Sequence, residues 1–441
     1  MFPKRFRPSI AALSAALAFG LPLAAQAQSL QELYDAARGF DATYLAARAL
    51  AQSAEFRVAQ SDALARPSLN AAAGATTAQN DYPIVGSSDI RSSQIALNGR
   101  YPLFNRANNA TIAQAHRSLE AAQADLDSAE QDLIVRVAQA YFDVLAAQDT
   151  LGTTRASKAA ITEQLASAKR NFEVGTATIT DTREAQARFD LATAQEIAAD
   201  NDLRTKRIAL DQLVGRSNVA PKALLIPVRL PDTTPADVEE WVAAADSQHP
   251  NVRRARVGFD VAQLETTKAK AAALPTVDAV GSLSTSYSRG ITVALPGTTS
   301  GASVGVQLNW PLYTGGATQN RIKETLVLEE KFRNDLEAAR RGVALGTRVA
   351  YFGVQSGVAQ VKALEAAEVS SKLALEATQL GYKVGVRVNL DVLNAQTQLF
   401  QTQRDLDKAR YDVLVGGLKL RQASGRLTPD DVAAANRLLN P

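Results

Sequence analysis

The chain has 441 residues, with 48 basic and 45 acidic side chains, so its formal net charge is only +3. This near balance, without a polybasic stripe, argues against a nucleic-acid-binding surface. The absence of cysteine excludes disulfides, thiolate metal sites and a lipid anchor on cysteine.

The first segment, residues 1–27, is predicted to be a secretory signal peptide. Three basic residues by position 7 precede an apolar run from Ile10 to Leu23, and Ala25-Gln26-Ala27 fits a small-x-small cleavage site. No later stretch approaches the roughly 20 apolar residues that a membrane-spanning helix requires. We therefore expect an exported chain, and any passage of this chain through a membrane must use strands.

The rest of the chain is predicted to contain the same order of elements twice. A helix comes first, over Leu30–Leu64 and again over Val238–Leu274, the second with a break near His249-Pro250. Two alternating segments follow, and then a long helix, a tight turn and a returning helix. The long helices are expected over 107–172 and 319–382, and the returning helices over 182–214 and 390–422.

Four segments alternate apolar and polar residues and are predicted to be strands: Ser68–Asn80, Ser93–Leu103, Thr276–Tyr287 and Ser303–Leu312. A length of about 10 residues suits a transmembrane strand. Aromatic residues near the strand ends suit a membrane interface, and these are Tyr82, Tyr101, Tyr287 and Trp310. Taken alone, each pair of segments also fits an ordinary half-buried hairpin. The stretches Asp81–Ser92 and Ser288–Ala302 between them are expected to be exposed loops.

The first long helix has apolar residues spaced alternately by three and four, which predicts coiled-coil packing. These are Leu119, Ala122, Leu126, Ala129, Leu133, Val137, Ala140, Val144 and Ala147.

One turn sequence occurs twice at an offset of 210 residues, as NFEVGTATITDTREAQ from Asn171 and GYKVGVRVNLDVLNAQ from Gly381. The glycine in each Val-Gly pair can take the left-handed conformation that ends a helix. The pair Thr180-Asp181 in the first turn, and Asn389 with Asp391 in the second, are expected to supply oxygen acceptors for the unpaired N–H groups of the helices that restart. Both copies fit plain helical-hairpin turns, but two matching copies favour a shared role.

The repeat divides the chain. We expect a signal peptide over 1–27, a first repeat over 28–214, an irregular proline-rich strap over 215–235, a second repeat over 236–427 and a tail over 428–441. Four strands cannot close a barrel, and lipid does not tolerate an open sheet edge. The chain is therefore expected to associate with copies of itself, and three copies would supply 12 strands.

The duplicated layout, the strand exits Tyr101-Pro-Leu-Phe104 and Trp310-Pro-Leu-Tyr313 and the paired Val-Gly…Asp turns resemble the TolC family of outer-membrane channel proteins. The resemblance implies a mainly α fold with a membrane β part. Three chains would share a 12-stranded β-barrel with four strands each, continuing into a long α-helical coiled-coil tunnel. The strap and chain ends would form an equatorial belt around this tunnel.

The resemblance also implies a function and a location, in the outer membrane and periplasm of a Gram-negative bacterium. The chain would be a passive exit duct of a tripartite efflux or type I secretion system, gated at its periplasmic tip. Its partners would be two further copies, outer-membrane lipid, a periplasmic adaptor (membrane fusion) protein and an inner-membrane transporter. The alternative is a periplasmic coiled-coil scaffold or adaptor without a pore. The sequence contains no catalytic or cofactor motif, and His116 and His249 are interpreted as surface or capping residues.

The resemblance places functional residues at the two turns. Tyr382 and Arg387 match residues that hold the tip closed through polar links, with Thr180 and Asp181 as their partners. Asp391 matches a carboxylate that rings the narrowest point of the lumen, where Asn394 replaces a second aspartate and weakens the acidic ring. The positions expected to meet the adaptor are Val174, Gly175, Val384 and Gly385. The alternatives are a helix N-cap for Asp391 and a solvated surface charge for Arg387.

Overall fold

The computed structural model describes residues 27–84, 86–225, 234–290 and 297–440. Residues 1–26 of the expected signal peptide, 226–233 of the strap and 291–296 of the second expected loop lie outside the described part. The first half contains α1 (Leu30–Phe40), α2 (Ala42–Asp62), β1 (Ser68–Tyr82), β2 (Gly86–Phe104), α3 (Arg106–Glu173) and α4 (Ile179–Val214). The second contains α5 (Val238–Gln248), α6 (Pro250–Ala271), β3 (Thr276–Arg289), β4 (Gly297–Asn309), α7 (Ala317–Lys383) and α8 (Asn389–Ala423), followed by α9 (Pro429–Asn436).

The long helices α3, α4, α7 and α8 confirm the expected spans to within three residues at either end. The expected break before α6 is also confirmed. His249 caps α6 because its Nδ1 accepts a hydrogen bond from the Asn251 N–H at 3.1 Å, and Pro250 follows at the first helical position.

The single helix expected over Leu30–Leu64 is wrong, because Asp41 divides it into α1 and α2. The Asp41 carboxylate accepts a hydrogen bond from the Tyr44 N–H at 2.8 Å and so caps α2. Both carboxylate oxygens also accept hydrogen bonds from the Arg136 guanidinium, each at 2.9 Å. Since Asp41 is 8% exposed, this two-pronged ion pair joins the break to α3 inside the fold.

The four strands form one antiparallel sheet in the order β1-β2-β3-β4. The strands have 13 to 19 residues and are longer than expected. The loop expected over Asp81–Ser92 is wrong, since the ladder continues to the pair Tyr82–Gly86 across a short turn. The loop expected over Ser288–Ala302 is wrong at its described ends, because β3 runs to Arg289 and β4 begins at Gly297. The expected extension of the last strand to Leu312 is also wrong, because β4 ends at Asn309 and Pro311, two residues later, has no N–H to donate.

The alternation places apolar residues on one face of the sheet. The pairs Leu97–Leu283 and Leu283–Ala302 fix this register across three strands. The face is exposed, with Leu69, Ile95, Leu283, Val304, Val306 and Leu308 all more than half accessible. The opposite face carries small polar residues, among which Ser282 and Ser303 share a hydrogen bond of 2.9 Å.

The helices form a single layer that continues from the sheet. Near the sheet, α3 lies between α2 and α6, and α7 lies beyond α6. Towards the two turns, α3 lies between α4 and α8, and α7 lies beyond α8. Consequently α7 is at one edge of the layer, and α2 and then α4 are at the other. Within the described ranges, no helix combines the length and the hydropathy needed to cross a membrane.

The largest hydrophobic core lies at the waist of the molecule, where α1, α3, α4, α8 and α9 meet. The expected seam of α3 is confirmed there, since Leu133, Val137 and Val144 are at most 1% exposed. The strap and the chain ends meet at the same level, through bridges of Gln28 with Pro221 and of Leu224 with Leu439.

Replacement of Asp41 by Ala should lower the free energy of unfolding by about 1–3 kcal/mol, because α2 loses its cap and Arg136 loses its partner. Thermal unfolding of the purified protein measures this loss. Asp35→Ala is the control, since Asp35 is exposed on α1. Equal unfolding temperatures for the two variants would contradict the role given to Asp41.

Candidate functional site

The two copied turn sequences fold alike. Residues 174–178 join α3 to α4, and residues 384–388 join α7 to α8. Gly175 and Gly385 have φ values of 79° and 78°, a conformation that glycine adopts without strain. Their N–H groups donate to the carbonyls of Phe172 and Tyr382 at 3.0 and 3.1 Å. The sequence repeat is therefore also a repeat of backbone geometry.

The first turn is well capped, and of the pair expected from the sequence only Asp181 takes part. The N-cap of α4 is Thr178, whose hydroxyl accepts a hydrogen bond from the Asp181 N–H at 3.2 Å. The Asp181 carboxylate in return accepts from the Thr178 N–H at 2.9 Å. Thr180 is exposed within the first turn of the helix. The expected role of Asp181 at this helix start is thus confirmed, whereas the expected role of Thr180 is wrong.

The second turn lacks such a cap. The N-cap of α8 is Val388, which has no side chain able to cap, and Asn389 does not cap either, contrary to expectation. Asp391 lies three residues into the helix, so the N-cap alternative for Asp391 is also wrong. The Asp391 carboxylate faces Arg387 at 3.5 Å, and both side chains are more than a third exposed. This pair stays accessible to a neighbouring molecule.

A direct bond joins the two turns within one chain. The Asn171 side-chain amide donates to the Tyr382 hydroxyl at 3.1 Å. Sequence reasoning selected Tyr382 but missed Asn171, although Asn171 opens the first copy of the repeated sequence. Neither Tyr382 nor Arg387 bonds Thr180 or Asp181 inside the chain, so that link stays a prediction about contacts between chains.

A second contact lies one turn further along α8. The Arg188 guanidinium of α4 donates to the Asn394 side-chain oxygen at 2.9 Å. Beside it, Leu393 is buried in a small cluster with Ile161, Leu165 and Ala168 of α3. Asn394 is therefore held by the first hairpin, while Asp391 carries the accessible carboxylate.

The expected adaptor-contacting positions lie at the extremity of both turns. Val174 and Val384 are 73% and 66% exposed. A Cβ atom added to Gly175 or Gly385 would meet nothing within 4 Å. At each turn, one exposed valine and the neighbouring glycine form a small apolar surface.

A group of partly buried carboxylates lies between the turns and the waist. The Tyr411 hydroxyl of α8 donates to the Asp149 carboxylate of α3 at 2.5 Å. Burial raises the pKa of Asp149. Burial also raises the pKa of Asp407 to about 6, and the Asp149 charge adds to the rise while Arg410 opposes it. No sequence motif marked this group, because its members come from two distant helices.

The site offers hydrogen-bonding and charged groups but no metal-binding cluster among the described residues. His116 lies 3.2 Å from the Asp62 carboxylate on the surface, away from the turns. The chemistry of the turns is thus that of reversible contacts between helical hairpins.

The chain is similar to known outer-membrane proteins over most of its length. The model of a family described as "Outer membrane efflux protein" matches residues 33–216 and 241–426. The chain is 34% identical over 421 residues to the outer membrane protein TolC of Vibrio cholerae, with 94% of this chain and 95% of that protein covered. It is 35% identical over 342 residues to the alkaline protease secretion protein AprF of Pseudomonas aeruginosa, with 76% and 69% covered.

Solved structures show the same fold. The outer membrane protein VceC of Vibrio cholerae superposes with a TM-score of 0.77 at 19% identity, covering 90% of this chain and 96% of VceC. The CmeC outer membrane channel of Campylobacter jejuni superposes with a TM-score of 0.75 at 14% identity, covering 99% and 98%.

Replacement of Asp407 by Asn should stabilise the protein at pH 8, by an amount that shrinks as the pH falls towards 5. Folding raises the pKa of Asp407 to about 6, so the ionised carboxylate destabilises the folded state above that pH and the cost disappears as the group is protonated. Thermal unfolding across this pH range is the measurement. Asp405→Asn, at an exposed position of the same helix, controls for the loss of one negative charge. A pH-independent difference between Asp407→Asn and the wild type would contradict the assignment.

Proposed function

The chain belongs to the outer membrane efflux protein family, and from this we propose that three copies form a passive exit duct for an efflux or type I secretion system. The chain is an outer-membrane channel protein that extends into the periplasm, as its relatives are. The observation that carries the proposal is that both the sheet and the helical layer end in open edges that a second copy can complete.

The sheet edges match each other. β1 and β4 lie at opposite edges, and neither has a further strand partner among the described residues. Because the four strands alternate in direction, β4 of one copy can pair with β1 of the next in the same antiparallel manner. The exposed apolar face of the sheet suits lipid, where unpaired backbone groups are costly. A closed ring of copies would pair every edge strand and would keep the apolar face of the sheet towards lipid.

The edges of the helical layer also match. The exposed side of α7 carries a continuous uncharged heptad seam, the α7 open seam: Gly342, Leu345, Val349, Phe352, Ser356, Ala359, Ala363, Ala366, Ser370, Leu373, Ala377 and Leu380. The exposed side of α4 carries another, the α4 open seam: Ala187, Leu191, Ala194, Ala198, Asn201, Thr205 and Ile208. Alternate spacings of three and four with no charge are typical of buried coiled-coil positions. Both seams fit burial against a neighbouring copy.

The two open seams lie at the same height along the helices. Leu191 lines a small cavity together with Ile161 of α3 and Thr397 of α8. Gln403, six residues further along α8, bonds Glu368 of α7 at 3.0 Å. Since α7 and α8 are antiparallel, the height of Leu191 falls about six residues beyond Glu368, next to Leu373. Rotation about a ring axis parallel to the helices preserves height, so Leu191 of one copy should face Leu373 of the next.

Cysteines at Leu191 and Leu373 should therefore join neighbouring copies into covalent trimers under mild oxidation. A disulfide needs Cα atoms within about 7 Å, and the wild-type chain has no cysteine to interfere. Non-reducing gel electrophoresis of membranes is the measurement. The same Leu191 cysteine with one at Leu380, about 10 Å further along α7, is the off-register control. Equal yields from both pairs would contradict the register, and monomers from both would contradict the ring.

The turns form the gate of the proposed duct. Arg387 of one chain would face Thr180 and Asp181 of the next, with Tyr382 held to its own first hairpin by Asn171. Asp391 would project into the lumen at its narrowest point, with Asn394 beside it. The exposed apolar tips at Val174, Gly175, Val384 and Gly385 suit contact with the helical tips of a periplasmic adaptor.

The partners follow from the class of relatives. The similar proteins include an efflux protein, BepC of Brucella suis, and a proteases secretion protein, PrtF of Dickeya chrysanthemi. The chain has no motif for energy conversion, so an inner-membrane transporter and an adaptor would drive and guide transport. The duct itself would select cargo only by lumen width and charge.

Tyr382→Phe combined with Arg387→Ser should increase single-channel conductance in planar bilayers. Each exposed polar link contributes about 0–1 kcal/mol, so loss of one link in each of three copies weakens closure by up to about 3 kcal/mol. Arg170→Ser, in the last turn of α3, is the control for loss of a tip arginine. Unchanged conductance in the double variant would remove the gate assignment.

A further inference from the structure

Asn389 is a buried side chain that the proposed gate does not explain. It is the first residue of α8 and is 3% exposed. Neither its side-chain oxygen nor its side-chain nitrogen has a hydrogen-bond partner within the described protein. A buried amide without partners is costly, because folding removes its bonds to water and returns none.

The equivalent position in the first hairpin differs from Asn389 in both polarity and exposure. Ile179, 210 residues earlier, is the first residue of α4 and is 49% exposed. The repeat thus places an apolar side chain in solvent at one turn and a polar side chain in the interior at the other. The caps of the two helices also make the second hairpin the less stable one. Thr178 and Asp181 cap α4 reciprocally, while Val388 offers α8 no side-chain cap.

The opposite end of the interface between α3 and α8 is well bonded. Tyr411 donates to Asp149 at 2.5 Å, Lys419 to Gln139 at 2.9 Å and Gln422 to Asp132 at 2.6 Å. Gln131 donates to the Leu427 carbonyl at 3.1 Å just beyond α8. Towards the turns the interface instead contains Leu393 in a small apolar cluster, and the buried Gln396 oxygen also has no partner among the described residues. The second hairpin is therefore bonded to α3 along the waist, whereas near the tip the two hairpins share the single Asn171–Tyr382 and Arg188–Asn394 bonds.

A neighbouring copy does not remove this defect. The Asn389 side-chain oxygen and nitrogen have essentially no accessible surface in the single chain. Asn389 lies one helical turn before Leu393, on the face of α8 that packs against Ile161 and Leu165 of α3. A partner could therefore reach the amide only if the two hairpins first separated. Separation also exposes the amide to water, which supplies the missing hydrogen bonds. The energetic cost of Asn389 thus applies to the packed tip and is relieved when the hairpins part.

We propose that Asn389 is a gating residue that destabilises the packed tip and so determines how readily the duct opens. The effect on transport rests on the proposed function, whereas the destabilisation itself rests only on the buried amide. Leu has nearly the shape of Asn without polar atoms, so Asn389→Leu removes the penalty and retains the volume.

The test compares Asn389→Leu with the wild type in planar bilayers. The closed-to-open ratio should rise by at least about tenfold, since relief of one buried amide amounts to about one tenfold step in an equilibrium constant and the duct contains three copies. The unfolding temperature of the detergent-purified protein should rise as well. Asn251→Leu is the matched control, because Asn251 is an exposed asparagine in the first turn of α6. Asn389→Asp, which buries a charge, should change the ratio in the opposite direction.

Unchanged gating in both Asn389 variants, or a change in the same direction in both, would overturn the inference while the conductance of the wild type still supported the duct. A wild-type chain that forms no channel would instead overturn the proposed function. In that case the unfolding temperature still decides the packing claim, and an unchanged temperature for Asn389→Leu would overturn it.

Discussion

The structure depends on one constraint, which is that a sheet with an apolar exposed face cannot leave its edge backbone groups unpaired in lipid. A chain with four strands has two such edges, β1 and β4, and cannot pair them with each other. The helical layer obeys a matching constraint in water, where the open seams of α4 and α7 present uncharged heptad positions to solvent. Both constraints are met by one arrangement, in which identical copies are related by rotation about a common axis. This agreement between the lipid-facing and the water-facing parts is the strongest argument for a ring.

The two halves of the chain share one backbone framework, and the differences between them lie in the side chains at the turns. The two halves share element order and turn geometry, down to nearly equal φ values at Gly175 and Gly385. They differ in the side chains placed on that backbone. The first turn carries a reciprocal cap between Thr178 and Asp181, while the second carries an uncapped helix start and the Arg387–Asp391 pair. One hairpin is thus built as a stable support and the other as a less stable neighbour.

Local sequence patterns predicted most of the fold because the long helices and the repeated turns are determined by periodicity and glycine. The patterns failed where tertiary contacts or solvent decide. Asp41 divides a continuous helical pattern because Arg136, far along the chain, binds its carboxylate. The residues after Gly86 look like a loop because they lack apolar alternation, but a strand that continues into water needs no apolar face. At the proposed site, the repeat singled out Tyr382, Arg387 and Asp391, whose roles stay predictions. The Asn171–Tyr382 bond, the burial of Asn389 and the Asp149–Tyr411 bond depend on contacts between distant helices, which no local pattern shows.

The distribution of stabilising contacts explains how a passive duct can remain both intact and openable. The main core lies at the waist, where the strap and the chain ends also pair, and the bonds between α3 and α8 begin there. Beyond Tyr411 the two hairpins are joined by a few apolar contacts and by the Asn171–Tyr382 and Arg188–Asn394 bonds, beside a buried amide without a partner among the described residues. A partner that binds the exposed tip valines needs to overcome only this weak end, since the waist and the sheet are stabilised independently of it. Opening at the tip is then compatible with a closed ring everywhere else, because the contacts that would have to break at the tip are separate from those that hold the waist and the sheet.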